Sequence, residues 1–185
     1  MTKASADTTA ISSHKAAQVE RANESGRIPV VFVHGLWLLP NSWQRWETLF
    51  GEAGYATVAP GWPDDPETAQ EAKAHPEVFA HKSVGQVADH VQAVIEGLSQ
   101  KPAVIGNPAN RHRAIPLTFD QFQDHTVPWA IANASYKRQR HNEGVTEIVK
   151  LEGRGHAMTI DRGWQAVAEI ALNFVSRFQP TTGGN

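Results

Sequence analysis

Three short segments of the chain carry groups capable of chemistry. The first is the pair His34-Gly35, which follows an apolar run directly, so a turn there would expose backbone N–H groups of the kind that stabilise an oxyanion. The second is Asp124, a carboxylate just before a predicted helix. The third is His156, the last residue of a Gly-Arg-Gly-His stretch. The two glycines let the backbone turn sharply, so that His156 is presented at the edge of the sheet. Each segment also has an interpretation without chemistry. His34-Gly35 would then be an ordinary turn, Asp124 a helix cap, and His156 an exposed histidine in a loop.

The elements around these segments alternate between strand and helix. Apolar, β-branched runs predict strands at 28–33, 55–59, 102–106 and 146–151. Helical periodicity and capping residues predict helices over 41–53, 83–98, 129–142 and 161–178, with Asn41 as the cap of the first and Gly54 as its stop. The connection 64–81 is charged and holds one short helix. Such alternation favours an α/β fold, a mainly parallel sheet flanked by helices, whose carboxyl edge binds ligands.

The three segments together resemble the α/β-hydrolase family. In that family an H-G segment after an early strand contributes to the oxyanion hole, as His34-Gly35 would here. A D-x-x-V-P segment gives the acid of a catalytic triad and matches Asp124, with Val127-Pro128 behind it. A G-H segment after the last strand gives the base and matches Gly155-His156. The order of the segments agrees with the family, and the resemblance covers about residues 28–106 and 124–178.

The resemblance implies a Ser-His-Asp hydrolase of small ester or amide substrates. In that scheme His156 is the general base and then the acid, Asp124 orients it, and the backbone N–H near Leu36 belongs to the oxyanion hole. His34, Gly35, Leu36 and Trp37 together form the expected oxyanion and substrate-binding segment. Tryptophans near this turn either line an apolar pocket or pack in the core; they are Trp37, Trp43, Trp46 and Trp62.

The chain departs from the family where the nucleophile belongs. A G-x-S-x-G elbow should follow the strand at 102–106, but the sequence there is Gly106-Asn107-Pro108-Ala109-Asn110. Pro108 stands in place of the serine. It has no hydroxyl and its ring fixes φ, so neither the chemistry nor the strained turn is retained.

The segment between the elbow and the acid is also too short. Two helices, two strands and their loops need roughly 50 residues, whereas 17 residues, 107–123, separate Gly106 from Asp124. These 17 residues suffice for a loop and one strand. Residues 114–119 are the candidate for that strand, and the alternative is that they are the remnant of a cap. The sequence therefore predicts an internal deletion, whether a natural splice form, a gene-model error or an engineered change.

Composition excludes several other classes. A net charge of -2 argues against nucleic-acid binding, and zero cysteines exclude disulfides, iron–sulfur clusters and thiol catalysis. No phosphate-binding glycine motif follows a strand, no histidine pair has metal-ligand spacing, and no apolar run would span a bilayer. We expect no cofactor, no metal, no membrane contact and a cytoplasmic location.

Three segments are expected along the chain: a polar N-terminal tail over 1–27, mostly disordered or a frayed helix; a shortened α/β-hydrolase-like domain over 28–178; and a flexible C-terminal tail over 179–185. The expected function is that of a hydrolase-family protein without its serine, inactive or very weakly active toward a small-molecule substrate. The alternative is a non-catalytic remnant that binds a small apolar ligand or a protein partner. In that alternative, the open edges of an incomplete sheet favour self-association.

Overall fold

The structure is a computed structural model that describes residues 13–35, 38–66, 68–80, 82–106, 117–121, 137, 147–151, 157 and 159–178. The strands are β1 (Pro29–Val33), β2 (Ala56–Val58), β3 (Ala103–Gly106), β4 (Leu117–Gln121) and β5 (Glu147–Leu151). The α-helices are α1 (Ser13–Ser25), α2 (Gln44–Glu52), α3 (Ala69–Ala74), α4 (Val84–Glu96) and α5 (Trp164–Ser176). Short 3-10 helices cover Pro40–Trp43 and Pro76–Phe79. The fold class is therefore α/β, as predicted.

The first three strands form a parallel sheet in the order β2-β1-β3. The central strand β1 is buried along its whole length, which explains why its sequence is a continuous apolar run rather than an alternating one. Val33 pairs with Gly106 at the last position of the β1–β3 ladder. The carboxyl ends of β1 and β3 therefore lie side by side at one edge of the sheet.

The last two strands form a separate parallel pair. β4 and β5 run in register from Leu117 opposite Glu147 to Gln121 opposite Leu151. The strand expected near 114–119 thus exists, two or three residues further along, beyond Pro116, whose missing N–H would interrupt a ladder. Within the described ranges, β3 pairs with β1 and β4 pairs with β5, and no ladder joins the two sheets.

One apolar layer lies between the three-stranded sheet and the helices α2 and α5. The helix α5 buries one stripe of its surface there, as its predicted amphipathic pattern requires. Phe32 of β1 stands at the centre, with ring centroids 5.2 Å from Trp43 and 5.3 Å from Phe50. Trp46 is fully buried, and its Nε1 donates to the carbonyl of Thr159, 3.0 Å away.

The opposite face of the sheet is covered by α1 and α4. Val31, Val33 and Val58 of the strands pack there against Val91 and Val94 of α4. The start of α4 is a capping box, in which Ser83 accepts from the backbone N–H of Gln86 and the Gln86 side chain accepts from the N–H of Ser83. The helix predicted from Ser83 is therefore confirmed.

The helix α1 falls within the polar segment for which disorder or a frayed helix was expected. Over residues 13–25 the structure shows a helix that is anchored rather than frayed. Ala22 is buried, the Gln18 Oε1 accepts from the N–H of Ala59, and the Asn23 side chain bonds to Gly97 and Ser99. The anchors are mostly polar side chains that bind backbone groups, so the segment lacks the apolar stripe by which a packed helix is recognised.

The helix after β1 begins later than predicted. Pro40 opens a 3-10 turn, and α2 starts at Gln44 with no side-chain cap. Asn41 therefore lies inside the turn and is not the cap, because proline fixes the first turn residue one position earlier. The predicted stop is confirmed: Gly54 has a φ of 92° just after α2.

Two predicted segments fall outside the described residues. Apart from Lys137, which is helical, the helix expected over 129–142 lies there, as does the C-terminal tail over 179–185. No helix in the described part of the chain has the length and apolar character needed to cross a membrane.

Candidate functional site

The turn after β1 holds the first of the predicted site residues. His34 directly follows Val33, at the edge where β1 and β3 end, and is 2% exposed. Gly35 is half-buried beside it. Leu36 and Trp37, the other two residues of the expected oxyanion and substrate-binding segment, lie outside the described residues.

The His34 ring is held by a buried carboxylate. Its Nε2 lies 2.8 Å from Oδ2 of Asp65, which is 8% exposed. The same oxygen accepts the backbone N–H of Trp62 at 2.8 Å, and the Lys82 ammonium donates to Oδ1 at 3.3 Å. With three donors around it, Asp65 acts as an anchor rather than as a free general base.

The electrostatics of Asp65 follow from these contacts. Burial by itself raises the pKa of the Asp65 carboxyl, since it disfavours the charged form. The hydrogen bonds from His34 and from the Trp62 backbone, together with the electrostatic attraction of His34 and Lys82, outweigh burial and hold this pKa below its usual value. Asp65 is therefore ionised in the folded protein at neutral pH.

Trp62 fixes the other side of the His34 residue. The two rings are stacked with centroids 5.5 Å apart and planes 15° apart. The indole Nε1 donates to the His34 carbonyl at 3.1 Å. The Trp62 carbonyl in turn accepts from the buried ammonium of Lys15 in α1, at 2.7 Å. The turn after β1 is thus joined to the loop after β2 and to α1.

Gly61 allows the loop after β2 to return over this site. Its φ is 68°, in the region that favours glycine. A Cβ at this position would also lie 2.7 Å from Cγ of Pro40. Both the backbone conformation and the packing against Pro40 therefore require glycine here.

His90 of α4 is a second buried histidine near this network. It is 7% exposed, and its Nε2 has no hydrogen-bond partner among the residues that the structure describes. Burial lowers the pKa of His90 below its ordinary value, and the positive charge of Lys15 lowers it further. Asp64 and Asp65 oppose this shift, and Lys82 adds to it, so His90 is neutral at pH 7.

Chemically, this network orients a turn rather than performing a reaction. Its carboxylate accepts from three donors, and the hydrogen bonds of the network join imidazole, indole, ammonium and backbone groups, none of which is a serine-type nucleophile. In the described part of the chain, no three metal-ligating side chains are grouped as a metal site. What the network can do is hold the His34-Gly35 backbone in one conformation at the sheet edge.

The end of β3, the strand after which the nucleophile was expected, lies beside this turn. Gly106 ends β3 opposite Val33, and a Cβ on Gly106 would lie 2.4 Å from the Val33 carbonyl oxygen. The strand that the sequence assigned to the elbow therefore reaches the edge next to His34. Pro108 itself lies outside the described residues.

Asp124 and His156, the predicted acid and base, also lie outside the described residues. The strands that precede them are described. Gln121 and Leu151 are partners at the last rung of the β4–β5 ladder, so the two strands end side by side. In the sequence, Asp124 follows Gln121 by three residues, and His156 follows Leu151 by five.

The tryptophans divide between the two roles considered for them. Trp43 and Trp46 are buried among the aromatic rings beneath α2, which is the core-packing role. Trp62 instead belongs to the site, through its stack on His34. Trp37 lies outside the described residues.

Sequence reasoning missed Asp65 and the contact of Trp62 with His34, and it also missed Lys82 and His90. The signal for the first two was present, since Gly61-Trp62-Pro63-Asp64-Asp65 follows β2 directly and β2 neighbours β1. Parallel neighbours end at the same edge, so this loop had to meet the turn at His34. No local sequence pattern pointed to Lys82 or His90. Lys82 lies just before α4 begins, and His90 lies in the middle of that helix.

Comparisons with known proteins support the fold. No family model matches the chain, and no curated protein matches it in sequence. Its structure is similar to the crystal structure of a predicted CIB-like hydrolase from Thermoplasma acidophilum, with a TM-score of 0.60 and 15% identity, over 84% of this chain and 89% of that one. At that identity the likeness concerns the fold alone: the chain has a hydrolase-like α/β fold, a parallel sheet flanked by helices.

Proposed function

We propose that the chain is a shortened α/β-hydrolase-type protein that lacks its serine nucleophile and is inactive or very weakly active. Complete proteins of this type would hydrolyse small ester or amide substrates through a Ser-His-Asp triad. The support is the hydrolase-like fold together with the order of His34-Gly35, Asp124 and Gly155-His156 in the sequence.

One observation carries the proposal: the pairing of Val33 with Gly106. It sets the end of β3 beside the His34-Gly35 turn, which is the neighbourhood that a nucleophile and an oxyanion turn must share. The next residues after Gly106 are Asn107 and Pro108. With proline at the nucleophile position, no alkoxide can form there, and an acyl-enzyme intermediate is excluded at that residue.

Asp124 and His156 are the proposed acid and base that survive. The β4–β5 register supports this, because it brings the starts of both loops to adjacent strand ends. Without a serine, His156 could act only as a general base toward water, a far weaker route than nucleophilic catalysis. This is why weak activity, rather than a changed reaction, is proposed.

The proposed cause is an internal deletion between Gly106 and Asp124. The separation of the described ladders into a three-stranded and a two-stranded sheet is in line with strands lost between β3 and β4. Sequencing the gene and its transcript across codons 106 and 107 tests the deletion. An in-frame segment encoding G-x-S-x-G is expected, and an uninterrupted gene with no such segment would argue that the chain is not a shortened copy.

The function is tested with p-nitrophenyl acetate as the substrate and the full chain as the protein. We expect the wild type to hydrolyse the ester no more than a few-fold above background, and His156→Ala to change this rate less than threefold. A rate that falls tenfold or more on His156→Ala would contradict the proposal, because it would show a functioning base with a nucleophile in reach. Ser99→Ala serves as a control, since Ser99 is exposed and lies before β3 begins.

A further inference from the structure

We propose that the helix α1 is a clasp that acid releases, with His90 of α4 as the switch and Lys15 of α1 as the charge on which it acts. When α1 is docked, Lys15 holds the loop after β2 through the Trp62 carbonyl. When α1 is released, that loop loses this anchor. The device is independent of whether the chain is catalytic.

The helix α1 is held mainly by hydrogen bonds. The Gln18 Oε1 accepts the backbone N–H of Ala59 at 2.9 Å, and the Asn23 Oδ1 accepts that of Ser99 at 2.7 Å. In the described part of α1 the buried apolar side chain is Ala22, whereas α2, α4 and α5 each bury two or more. Water replaces hydrogen bonds more readily than apolar contacts, so among these four helices α1 is the one that detaches most easily.

His90 is buried on α4, the helix along which α1 lies. Asn23 joins α1 to the end of α4 by donating to the Gly97 carbonyl at 2.9 Å, and Lys15 stands near the other end of α1. His90 is 7% exposed, and its Nε2 has no hydrogen-bond partner within the described ranges. A proton added to this ring therefore places a charge where water does not reach it.

Four charged groups of the described chain act on His90, and they come from the elements around it. Lys15 of α1 and Lys82 just before α4 disfavour a proton on the ring, whereas Asp64 and Asp65 of the loop after β2 favour it. Burial and Lys15 are the two largest influences, and they lower the pKa of His90. The strands beneath α4 contribute valines to this layer. Release of α1 removes the Lys15 charge and admits water to this face, so it relieves both influences.

Release of α1 is therefore coupled to proton uptake. Once α1 has left, His90 returns toward its ordinary pKa of 6.5. Between the docked pKa and pH 6.5, the released state binds more protons than the docked state, so docking is strongest above pH 6.5 and weakens as the pH falls. The Asp65 carboxyl stays ionised throughout this range, because its pKa lies below its usual value.

The amides of Ala59 and Ser99 report the docking of α1, because each donates to a side chain of that helix and neither lies in it. The test follows their exchange with solvent by NMR in the full chain between pH 7.5 and 5.5, as protection relative to an unstructured peptide at the same pH. The amide of Phe32 in the buried strand β1 reports opening of the whole domain. We expect the protection of Ala59 and Ser99 to fall at least about threefold more than that of Phe32, and by no more than about tenfold per pH unit, the limit for one proton.

His90→Leu should make the protection of both reporter amides independent of pH. His75→Gln, which removes an exposed histidine, should keep the wild-type behaviour. Equal losses at Ala59, Ser99 and Phe32 would overturn the proposal, because the whole domain would then be opening. Unchanged protection in the wild type, or the same loss in His90→Leu as in the wild type, would overturn it too. If His90→Leu does not fold, His90→Gln takes its place.

Lys15→Met tests the charge on which the switch acts. Methionine keeps a long unbranched side chain without the ammonium, so the fall in protection with pH should become about twofold smaller or less. Arg21→Met is the matched control, since Arg21 is an exposed cation of the same helix and should leave the fall unchanged. The readout is the change with pH rather than the absolute protection, so a general loosening of α1 does not imitate it. An undiminished fall in Lys15→Met, or the same reduction in Arg21→Met, would overturn the role of Lys15.

Discussion

Val33 and Gly106 face each other at the last rung of the β1–β3 ladder, so closely that a Cβ on Gly106 would lie 2.4 Å from the Val33 carbonyl oxygen and 2.8 Å from the Val33 Cβ. The obstacle is mainly backbone and cannot rotate away. This contact makes the end of β3 intolerant of any side chain at the point where the chain enters the candidate site.

Gly106→Ala should therefore destabilise the protein by about 2 kcal/mol, within the range typical of overpacking. Urea unfolding at pH 7 measures this. Gly51→Ala is the control, because nothing lies within 4 Å of its Cβ position in α2. Alanine there should stabilise the protein by about 0.5–1 kcal/mol, since it is the better helix former. Equal effects of the two changes would show that the Val33 contact does not constrain β3.

His90 gives a prediction about pH. Burial lowers the pKa of His90 in the folded state below the ordinary value of 6.5. Between the folded pKa and pH 6.5, the unfolded chain therefore binds more protons than the folded chain. The stability that neutral His90 contributes is fully present above pH 6.5 and is lost as the pH falls through the folded pKa. Urea unfolding of the wild type between pH 7.5 and 5 should show this loss.

His90→Leu should flatten that dependence and raise the stability at pH 7 by about 1 kcal/mol, because it removes a buried ring nitrogen that has no hydrogen-bond partner in the described part of the chain. His75→Gln is the control, since His75 is exposed beside Glu77. A His90→Leu profile as steep as that of the wild type would assign the pH dependence to other groups.

The elements that the sequence predicted well are those whose cause is local. The buried run of β1, the capping residues Ser83 and Gln86 of α4 and the apolar stripe of α5 are each visible within a few residues. The helix α1 was not recognised as packed, because Lys15 and Gln18 dock through bonds to distant backbone groups. A hydropathy pattern contains no trace of such contacts.

The candidate site divides in the same way. His34-Gly35 was found because it follows a clear strand, whereas Asp65 lies 31 residues further along the chain. It reaches His34 because β2 pairs with β1, a relationship that pairing order decides and local sequence does not. Predicting the anchor required the sheet order as well as the motif.

A serine-directed fluorophosphonate probe should not label this chain. The reason is the proposed place of Pro108, which has no hydroxyl, at the position that the resemblance assigns to the nucleophile. Intact-protein mass spectrometry after incubation with the probe measures the labelled fraction, and a known serine hydrolase in the same tube confirms that the probe is active. Stoichiometric labelling at any serine, located by peptide mapping, would show that the nucleophile lies elsewhere.

The last prediction concerns the pairing of Asp124 with His156. Gln121 and Leu151 are partners at the end of the β4–β5 ladder, so the two loops begin on adjacent strands at one edge. Only three and five residues separate these strand ends from Asp124 and His156, and the segment between the two residues is complete relative to the family's pattern. Sequential elements usually remain neighbours in space, so we expect the two side chains to meet.

A crystal structure measures this as the distance from the Asp124 carboxylate to the nearer ring nitrogen of His156. We expect a hydrogen bond of roughly 3.2 Å or less. Asp124→Asn, which keeps the size of the side chain but removes its charge, should leave the β4–β5 ladder in place while it changes the orientation of the His156 ring. A separation well beyond hydrogen-bond range in the wild type, with no bridging water, would reject the pair. In that case the proposed deletion between β3 and β4 would have removed the pairing of acid and base as well as the nucleophile.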